Sequence, residues 1–283
     1  MRHGCGTKDR LAVRCARRRL PSWGTLDIVD REQIGRYLAR IGAARPGEPD
    51  LEGLRALQYA HLRTVPFENL DIHLGEPIVL EEASLYEKIV QRRRGGFCYE
   101  LNGLFAALLR ALGYEVTLLA GRVRGSDGVL GIPYDHLTLR VDLDEPWLAD
   151  VGFGHFTDGP LRLNARTPQH DPAGVYRIAE NGDFLEVHAA EDSLLVDPRP
   201  AELADFTAAC WWHRTSPDSH FTRSPVCSLR TATGRVTLSG NRLITAGNGT
   251  RTESVLPDEE SVLAAYRDHF GLDIDRAPAL RGT

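Results

Sequence analysis

One cysteine of this chain stands where a helix is predicted to begin, and that position can activate a thiol. Cys98 follows the glycine pair Gly95 and Gly96. It opens an apolar segment whose large side chains recur at helical spacing, at Leu101, Leu104, Phe105, Leu108 and Leu112. The unpaired N–H groups of a first helical turn and the positive end of the helix dipole favour a thiolate. We therefore treat Cys98 as a candidate nucleophile, the alternative being a buried structural cysteine.

Two residues further along the chain could complete a catalytic set with Cys98. His136 opens the segment HLTLRV and Asp150 ends WLAD, so each lies at or near a predicted strand. A thiolate can attack an acyl carbon, an imidazole can take and return the proton, and a carboxylate on the other ring nitrogen can hold the tautomer. Other histidines and aspartates leave other trios possible, and spacing alone does not decide between them.

Composition limits the kinds of protein that this chain can be. Its 283 residues are 42% hydrophobic, which is enough for one large core or two to three small ones. A net charge of -5 argues against nucleic-acid binding. No stretch approaches the roughly 20 apolar residues of a membrane span. The five cysteines are an odd number without a disulfide-framework spacing, so we predict a reducing compartment, the cytoplasm.

The first half of the chain reads as helices. Asp30 and Asp50 are predicted to cap the first two, and Pro66 ends the second. Ser84 with Glu87 is predicted to cap a third helix. The Cys98 helix closes this region at Gly113.

After Gly113 the pattern alternates, which predicts a mostly antiparallel sheet or barrel followed by a mixed segment with a last helix over 258–270. Helices, then strands, then a mixed tail predict an α+β protein. We expect a helical domain over 30–113 that carries the cysteine, a β-domain over 114–200 that carries His136 and Asp150, and a third domain over 201–283.

The first 29 residues stand apart from these regions. The first nineteen residues contain seven basic side chains and one acidic side chain, Asp9. They contain no apolar stripe and no signal-peptide core. We predict a basic, disordered tail. A nucleic-acid arm is the functional alternative, and a true start near Val29 is a further hypothesis, because Met1 is the chain's only methionine.

Four motifs together resemble the arylamine N-acetyltransferase family. They are PFENLD from Pro66, RGGFCYELNGLF from Arg94, DHLTLRV from Asp135 and DVGFG from Asp150, in the family's order. WWHRTSPDSHFTR, over 211–223, also looks like the family's C-terminal region. The resemblance covers roughly residues 30 to 275. It implies a helical bundle, an antiparallel β-barrel and an α/β lid around a papain- or transglutaminase-like Cys-His-Asp core.

The resemblance also implies roles for individual residues. Cys98, His136 and Asp150 would be the catalytic triad. Glu68 and Arg94 would pair beneath the site, the alternative being a solvated surface pair.

Phe67 and Phe153 would be walls for an aromatic ring, the alternative being ordinary core packing. His155 departs from the small or acidic residue that we expect there in many relatives, which leaves the acyl-carrier pocket undefined.

The implied activity is acetyl transfer by a double-displacement (ping-pong) cycle. Acetyl-CoA, a cosubstrate and not a tightly held cofactor, would acylate Cys98, and an arylamine or arylhydrazine would then take the acetyl group. The implied protein is a monomer or homodimer with no metal, nucleic acid or membrane partner.

Three alternatives accompany this interpretation. A macrolactam-forming amide synthase of a polyketide antibiotic pathway would share the triad and the fold. A non-catalytic binding module would be expected to lose the cysteine. A metal site is the third possibility, formed by Cys210, His213, His220 and Cys227, although its gaps of 2, 6 and 6 residues match no familiar zinc spacing.

Overall fold

The computed structural model describes residues 31–125, 128–190 and 192–279. The predicted basic tail, residues 1–29, and the predicted cap Asp30 lie outside these ranges. The described helices run in chain order as α1 Arg31–Ile41, α2 Leu51–Thr64, α3 Leu70–Leu74, α4 Glu82–Tyr86, α5 Cys98–Ala111, α6 Thr207–Thr215 and α7 Glu259–Phe270. A π-helical turn, Glu87–Gln91, continues α4, and short 3-10 turns occupy Leu203–Phe206 and His220–Thr222.

The strands form two antiparallel sheets. In chain order they are β1 Phe67–Glu68, β2 Glu115–Arg124, β3 His136–Asp142, β4 Pro146–Ala149, β5 Leu161–Arg162, β6 Gln169–Asp171, β7 Gly174–Asn181, β8 Phe184–His188, β9 Ser193–Ala201, β10 Val226–Arg230, β11 Gly234–Ser239, β12 Arg242–Gly247 and β13 Thr250–Val255. The larger sheet has the order β5-β4-β3-β2-β9-β8-β7-β6, and the smaller β1-β10-β11-β12-β13. The chain is thus α+β, as the sequence predicts.

The eight-stranded sheet curls into a nearly closed barrel. Its two edges meet where the Gln169 side chain bonds both backbone groups of Arg162: Oε1 accepts from the Arg162 N–H at 2.8 Å, and Nε2 donates to the Arg162 carbonyl at 3.0 Å. Apolar side chains of alternate strand positions, such as Leu119, Ile178 and Val196, fill the interior.

Helix α5 is the centre of the molecule. Every residue from Cys98 to Leu109 is buried, so the helix packs on all sides and not on one face only. Its leucines meet α1 and α2 on one side and the outer face of β3, at Leu137, Leu139 and Val141, on the other. The helical and barrel regions therefore share one core, and the cysteine at the start of α5 is held between them.

Local signals set most of the predicted helix ends. The Asp50 side chain accepts a hydrogen bond from the Gly53 N–H at 2.7 Å, which caps α2, and α2 ends at Thr64 just before Pro66. Asp258 caps α7 in the same way, because its side chain accepts from the Ser261 N–H at 2.9 Å. That helix ends at Gly271, which adopts the left-handed conformation.

Two features differ from the sequence-based expectations. The cap at Ser84 is wrong: α4 begins at Glu82, because Glu81 and Glu82 supply the acidic first turn that a helix dipole favours. The helical region also contains a strand, β1, which pairs with β10 through Glu68 opposite Cys227. Residues close to Cys98 thus belong to the sheet of the C-terminal region.

Candidate active site

The glycine pair before Cys98 allows a close approach between two chain segments. A Cβ on Gly95 would lie 1.9 Å from the carbonyl oxygen of Pro66, and neither glycine has a positive φ. The Glu68 N–H donates to the Gly96 carbonyl at 2.8 Å. The glycines are thus required for contact with β1, and this contact positions the start of α5.

His136 and Asp150 lie at the adjoining ends of two paired barrel strands. His136 is the first residue of β3, and Asp150 follows the last residue of β4. The His136 Nε2 lies 2.6 Å from the Asp150 Oδ2, and both side chains are buried. Cys98 and His136 line the same cavity, and the Cys98 Sγ lies 3.9 Å from the carbonyl oxygen of Asp135, the residue before His136. The structure therefore brings the three predicted residues together in the order sulfur, imidazole, carboxylate.

The pKa values of His136 and of its two neighbours depend on one another. Burial disfavours the charged imidazole, but Asp150 and Cys98 outweigh it and raise the pKa of His136 to about 10. Burial also raises the pKa of the Cys98 thiol, while the hydrogen bonds from His136 and the Leu137 N–H lower it in part. The pKa of Cys98 is thus raised overall, and the expectation that the helix start favours the thiolate stays a prediction. Because desolvation penalises a free anion, a Cys98 thiolate would need the neighbouring imidazolium to stabilise it.

Asn102 and Gly152 support this trio, and the sequence analysis did not single them out. The Asn102 Nδ2 donates to the Asp150 Oδ1 at 2.9 Å and to the Leu137 carbonyl at 2.6 Å, and its Oδ1 accepts from the Val151 N–H at 2.9 Å. The Gly152 N–H donates to the same Asp150 oxygen at 2.8 Å. Burial raises the pKa of Asp150, but the charge of His136 and these hydrogen bonds together lower it more. The pKa therefore lies below its usual range.

Gly152 is also a site of close packing. A Cβ there would lie 2.7 Å from the Cα of Cys98 and 2.8 Å from the Asn102 Nδ2. Two signals in the sequence could have identified these residues. Asn102 lies one helical turn after Cys98, and Gly152 stands inside the DVGFG motif.

A cavity of about 290 Å³ opens on the sulfur. Aromatic rings form much of its wall, at Phe67, Phe153 and Phe221. The Phe153 ring also packs edge-on against His136, with 5.0 Å between the ring centroids, and stacks on Phe156 at 4.6 Å. Both phenylalanines expected to line the site, Phe67 and Phe153, therefore face the cavity, and Phe221 adds a third ring that the sequence analysis did not name.

Glu68 and Arg94 form a buried pair beside the nucleophile loop. The Arg94 Nε and Nη2 donate to the Glu68 Oε1 at 3.0 and 2.8 Å, and Nη2 also donates to the Asp71 Oδ1 at 2.7 Å. Burial opposes the charge on Arg94, but Glu68 and Asp71 outweigh it and raise the pKa of the guanidinium.

The pair belongs to a larger network. The Lys88 Nζ, in the π-helical turn, lies 2.6 Å from the Asp71 Oδ2 and 2.6 Å from the Glu100 Oε1. Glu100 is in the first turn of α5, and its Oε2 accepts from the N–H of Phe97 at 3.2 Å. Three carboxylates thus meet two cations beneath Cys98.

The residues weighed as a metal set are engaged elsewhere. His213 lies 3.2 Å from Asp135 and 3.3 Å from Ser219, and Cys227 packs in the core between the smaller sheet and α7. Across the described ranges, no three His, Cys, Asp or Glu side chains are arranged as metal ligands. None of the helices in those ranges is long and apolar enough to cross a bilayer.

Comparison with known proteins adds the decisive observation. A protein-family model described as N-acetyltransferase matches residues 50–279. An arylamine N-acetyltransferase / N-hydroxyarylamine O-acetyltransferase of Salmonella typhimurium is 36% identical over 248 residues, which is 84% of this chain and 88% of the relative. This chain belongs to the arylamine N-acetyltransferase family.

Solved structures of the arylamine N-acetyltransferase family have the same fold. The Salmonella typhimurium enzyme superposes with a TM-score of 0.79 at 35% identity, covering 85% of this chain and 91% of that one. The Mycobacterium marinum enzyme in complex with CoA has a TM-score of 0.79 at 33% identity, with 84% and 92% covered. A Bacillus cereus member, at 25% identity and a TM-score of 0.79, covers 87% of this chain and 100% of its own, and is described as having a unique Cys-His-Glu catalytic triad.

Membership of the arylamine N-acetyltransferase family makes this protein an acyltransferase and agrees with the fold implied by the four motifs. His155, the departure noted in the sequence, is exposed. It lines a second cavity of about 220 Å³, and Phe153 contributes to both cavities. His155 is therefore outside the residues that line the Cys98 cavity.

Proposed function

We propose that this protein is an acetyl-CoA-dependent arylamine or arylhydrazine N-acetyltransferase that works by a ping-pong mechanism through acetyl-Cys98. The observation that carries this proposal is the Cys98, His136 and Asp150 arrangement at one end of a cavity walled by aromatic rings. The Mycobacterium marinum relative in complex with CoA supports acetyl-CoA as the donor. The relatives named above are all arylamine N-acetyltransferases and give no support to the amide-synthase alternative.

In the first half-reaction the Cys98 thiolate attacks the carbonyl carbon of acetyl-CoA. The bond from that carbon to the CoA sulfur breaks, and the proton held on His136 passes to the departing thiolate. Acetyl-Cys98 and a neutral His136 remain. Asp150 stabilises the imidazolium before this transfer and holds the ring in place afterwards.

In the second half-reaction the amine nitrogen attacks the same carbonyl carbon. His136 takes one proton from that nitrogen, the bond to the Cys98 sulfur breaks, and the amide leaves. The thiolate and imidazolium are thereby restored together, so no external proton source is needed. Phe67 and Phe153 would hold the ring of the acceptor, and a cavity of this size suits a small aromatic ring beside the acetyl group.

Glu68 and Arg94 would act as positioning residues in this scheme. They are buried and do not line the cavity, but Arg94 directly precedes the glycines and Glu68 is bonded through its N–H to Gly96. We further propose three domains over 30–113, 114–200 and 201–283, with β1 of the first completing the sheet of the third.

The three cysteines in the described ranges are free thiols, which supports a reducing compartment such as the cytoplasm. A monomer or homodimer stays a prediction.

Intact-protein mass spectrometry tests the proposed mechanism. Incubation with acetyl-CoA and no amine should add one acetyl mass and release CoA, and an arylamine added next should remove that mass as its acetamide. Cys98→Ser should abolish the adduct, and Cys210→Ala, which removes a buried thiol, is the matched control. An unmodified wild-type protein whose Cys98 still reacts with iodoacetamide would overturn acetyl-CoA as the donor.

A further inference from the structure

The catalytic cavity has an acidic side chain that the proposed mechanism does not use. Of the described residues that line it, Asn69, Asp135, His136 and His220 are polar. Asn69 is fully engaged, because its Nδ2 donates to two backbone carbonyls and its Oδ1 accepts from the Val226 N–H. His220 is exposed and packs on Phe221, with 3.9 Å between the ring centroids. Asp135 is therefore the acidic residue among those that line the cavity.

Asp135 is held as the carboxylate of a second His-carboxylate pair. Its Oδ2 accepts from the Val123 N–H at 3.1 Å, and its Oδ1 lies 3.2 Å from the Nε2 of His213, a buried ring. The Nδ1 of His213 lies 3.3 Å from the Ser219 Oγ. Burial pushes the pKa of Asp135 upward, but the neighbouring His213 ring and the hydrogen bond from the Val123 N–H outweigh it and hold the pKa below its usual range. A carboxylate offers about four lone-pair positions, so this one can accept further donors.

The backbone places Asp135 beside the sulfur. Its carbonyl oxygen lies 3.9 Å from the Cys98 Sγ and accepts from the Tyr99 hydroxyl at 3.0 Å. The same hydroxyl lies 2.8 Å from the Tyr134 carbonyl, so the two carbonyls share its proton and Tyr99 anchors this segment. Asp135 and His136 are consecutive and line one small cavity with Cys98.

We propose that Asp135 binds the acyl acceptor by taking a hydrogen bond from the N–H of the attacking amine that is not transferred to His136. The inference rests on the proposed ping-pong function. A primary amine has two N–H groups: one proton passes to His136 as the C–N bond forms and the C–S bond breaks, and the other stays on the amide. Asp135 remains ionised throughout, and His213 is a positioning residue that holds its carboxylate.

This arrangement selects a chemical class of acceptor. A hydrogen bond to a carboxylate in an apolar-walled cavity is strong, and it would turn the nitrogen lone pair toward the thioester carbon. Primary arylamines and hydrazines retain an N–H for Asp135, whereas an N-methyl arylamine has a single N–H, which His136 must take. The Asp135 contact should therefore accelerate primary acceptors and not secondary ones.

The test measures the two half-reactions separately in wild type and Asp135→Asn, a variant of nearly unchanged shape. CoA release from acetyl-CoA should not fall more than about twofold below wild type, because the Asp135 charge raises the pKa of Cys98 and its removal does not disfavour the thiolate. Loss of the acetyl mass to a primary arylamine should slow by about tenfold or more, the usual value of a hydrogen bond to a charged group. The rate with the N-methyl arylamine should be unchanged. His213→Gln should show the same pattern in weaker form.

The remaining outcomes separate the inference from its alternatives. A merely structural role would slow both half-reactions, or both acceptors alike, and would overturn the inference. Full speed of Asp135→Asn with the primary arylamine would overturn it as well. Failure of the wild-type protein to form acetyl-Cys98 would instead overturn the proposed function, so the two failures are distinguishable.

Discussion

Asn102 holds the oxygen of Asp150 that His136 does not use, with 2.9 Å between the Asn102 Nδ2 and the Asp150 Oδ1. The amide lies one turn after Cys98 on α5 and also accepts from the Val151 N–H, so a single side chain connects the Cys98 helix to the loop that carries Asp150. The relative orientation of the two reactive elements depends on this amide.

Asn102→Ala should therefore lower activity more than it lowers stability. Loss of a hydrogen bond to a buried charge is worth about 2 kcal/mol, or roughly 30-fold in kcat/KM, because Asp150 stabilises the imidazolium less well. Asn241→Ala is the matched control: its Nδ2 donates to the Leu256 carbonyl at 3.1 Å, in the C-terminal region. Equal activity losses in the two variants would contradict the role of Asn102. Steady-state kinetics and urea unfolding of both variants supply the comparison.

Gly152→Ala should damage the site through sterics alone. The new Cβ would fall 2.7 Å from the Cys98 Cα, and neither backbone can move without breaking the Asn102 contacts, so we expect destabilisation of about 1–3 kcal/mol and loss of most turnover. Gly35→Ala is the control, because a Cβ there has open space and Gly35 lies in helix α1. That variant should gain up to about 1 kcal/mol of unfolding free energy. Thermal melts of the two variants should shift in opposite directions.

Glu68 and Arg94 should couple strongly in a double-mutant cycle. Arg94→Met leaves Glu68 and Asp71 buried with only Lys88 nearby and should cost about 3–5 kcal/mol of unfolding free energy. Adding Glu68→Gln removes one uncompensated charge, so the double variant should be less destabilised than the sum of the single ones. Glu32 and Arg36, an exposed pair at 2.6 Å, provide the control cycle, with a coupling below about 0.5 kcal/mol. Coupling of similar size in both cycles would contradict the buried pair.

Glu100 should make stability depend on pH near neutrality. Burial raises the pKa of Glu100 to about 7, although Lys88 lowers it in part. Because the folded pKa exceeds the unfolded value of about 4.3, the stability that this group contributes is full below that value and is lost as pH rises toward 7. The Gln side chain of Glu100→Gln cannot ionise. Between about pH 4.5 and about pH 8, the free energy of unfolding should therefore fall less for this variant than for wild type. Parallel pH profiles of urea-unfolding free energy for the two proteins would contradict the assignment.

Thiol labelling should distinguish Cys98 from the other described cysteines. Burial raises the pKa of Cys210 to about 12 and that of Cys227 well above its usual value, and neither has an imidazole partner of the Cys98 kind. Low-dose iodoacetamide should therefore alkylate Cys98 before either of them. His136→Gln and Asp150→Asn should both slow this labelling, because the first removes the cation that stabilises the thiolate and the second lowers the pKa of that cation. Peptide mapping of the modified protein shows the order in which the cysteines are alkylated. Alkylation of Cys210 before Cys98 would contradict the prediction.

The sequence by itself determined the elements whose causes are local. The apolar period of α5, the Asp50 cap and the Gly271 stop each depend on residues within a few positions of one another, so they can be read without the fold. The grouping of Cys98, His136 and Asp150 was predictable from the resemblance, because each stands in one of its short motifs, whereas spacing alone left other trios possible. The pairing of Glu68 with Arg94 was predictable from the resemblance alone, since nothing in the spacing requires it.

Only the tertiary structure decided what surrounds these residues. The pairing of β1 with β10, the bonds of Asn102 across to the Asp150 loop and the contact of His213 with Asp135 all join positions that are distant in the chain. Burial likewise raises the pKa of Cys98, and only the fold determines that burial. Desolvation and hydrogen bonding act through space and at short range, so the chain must close on itself before these partners exist.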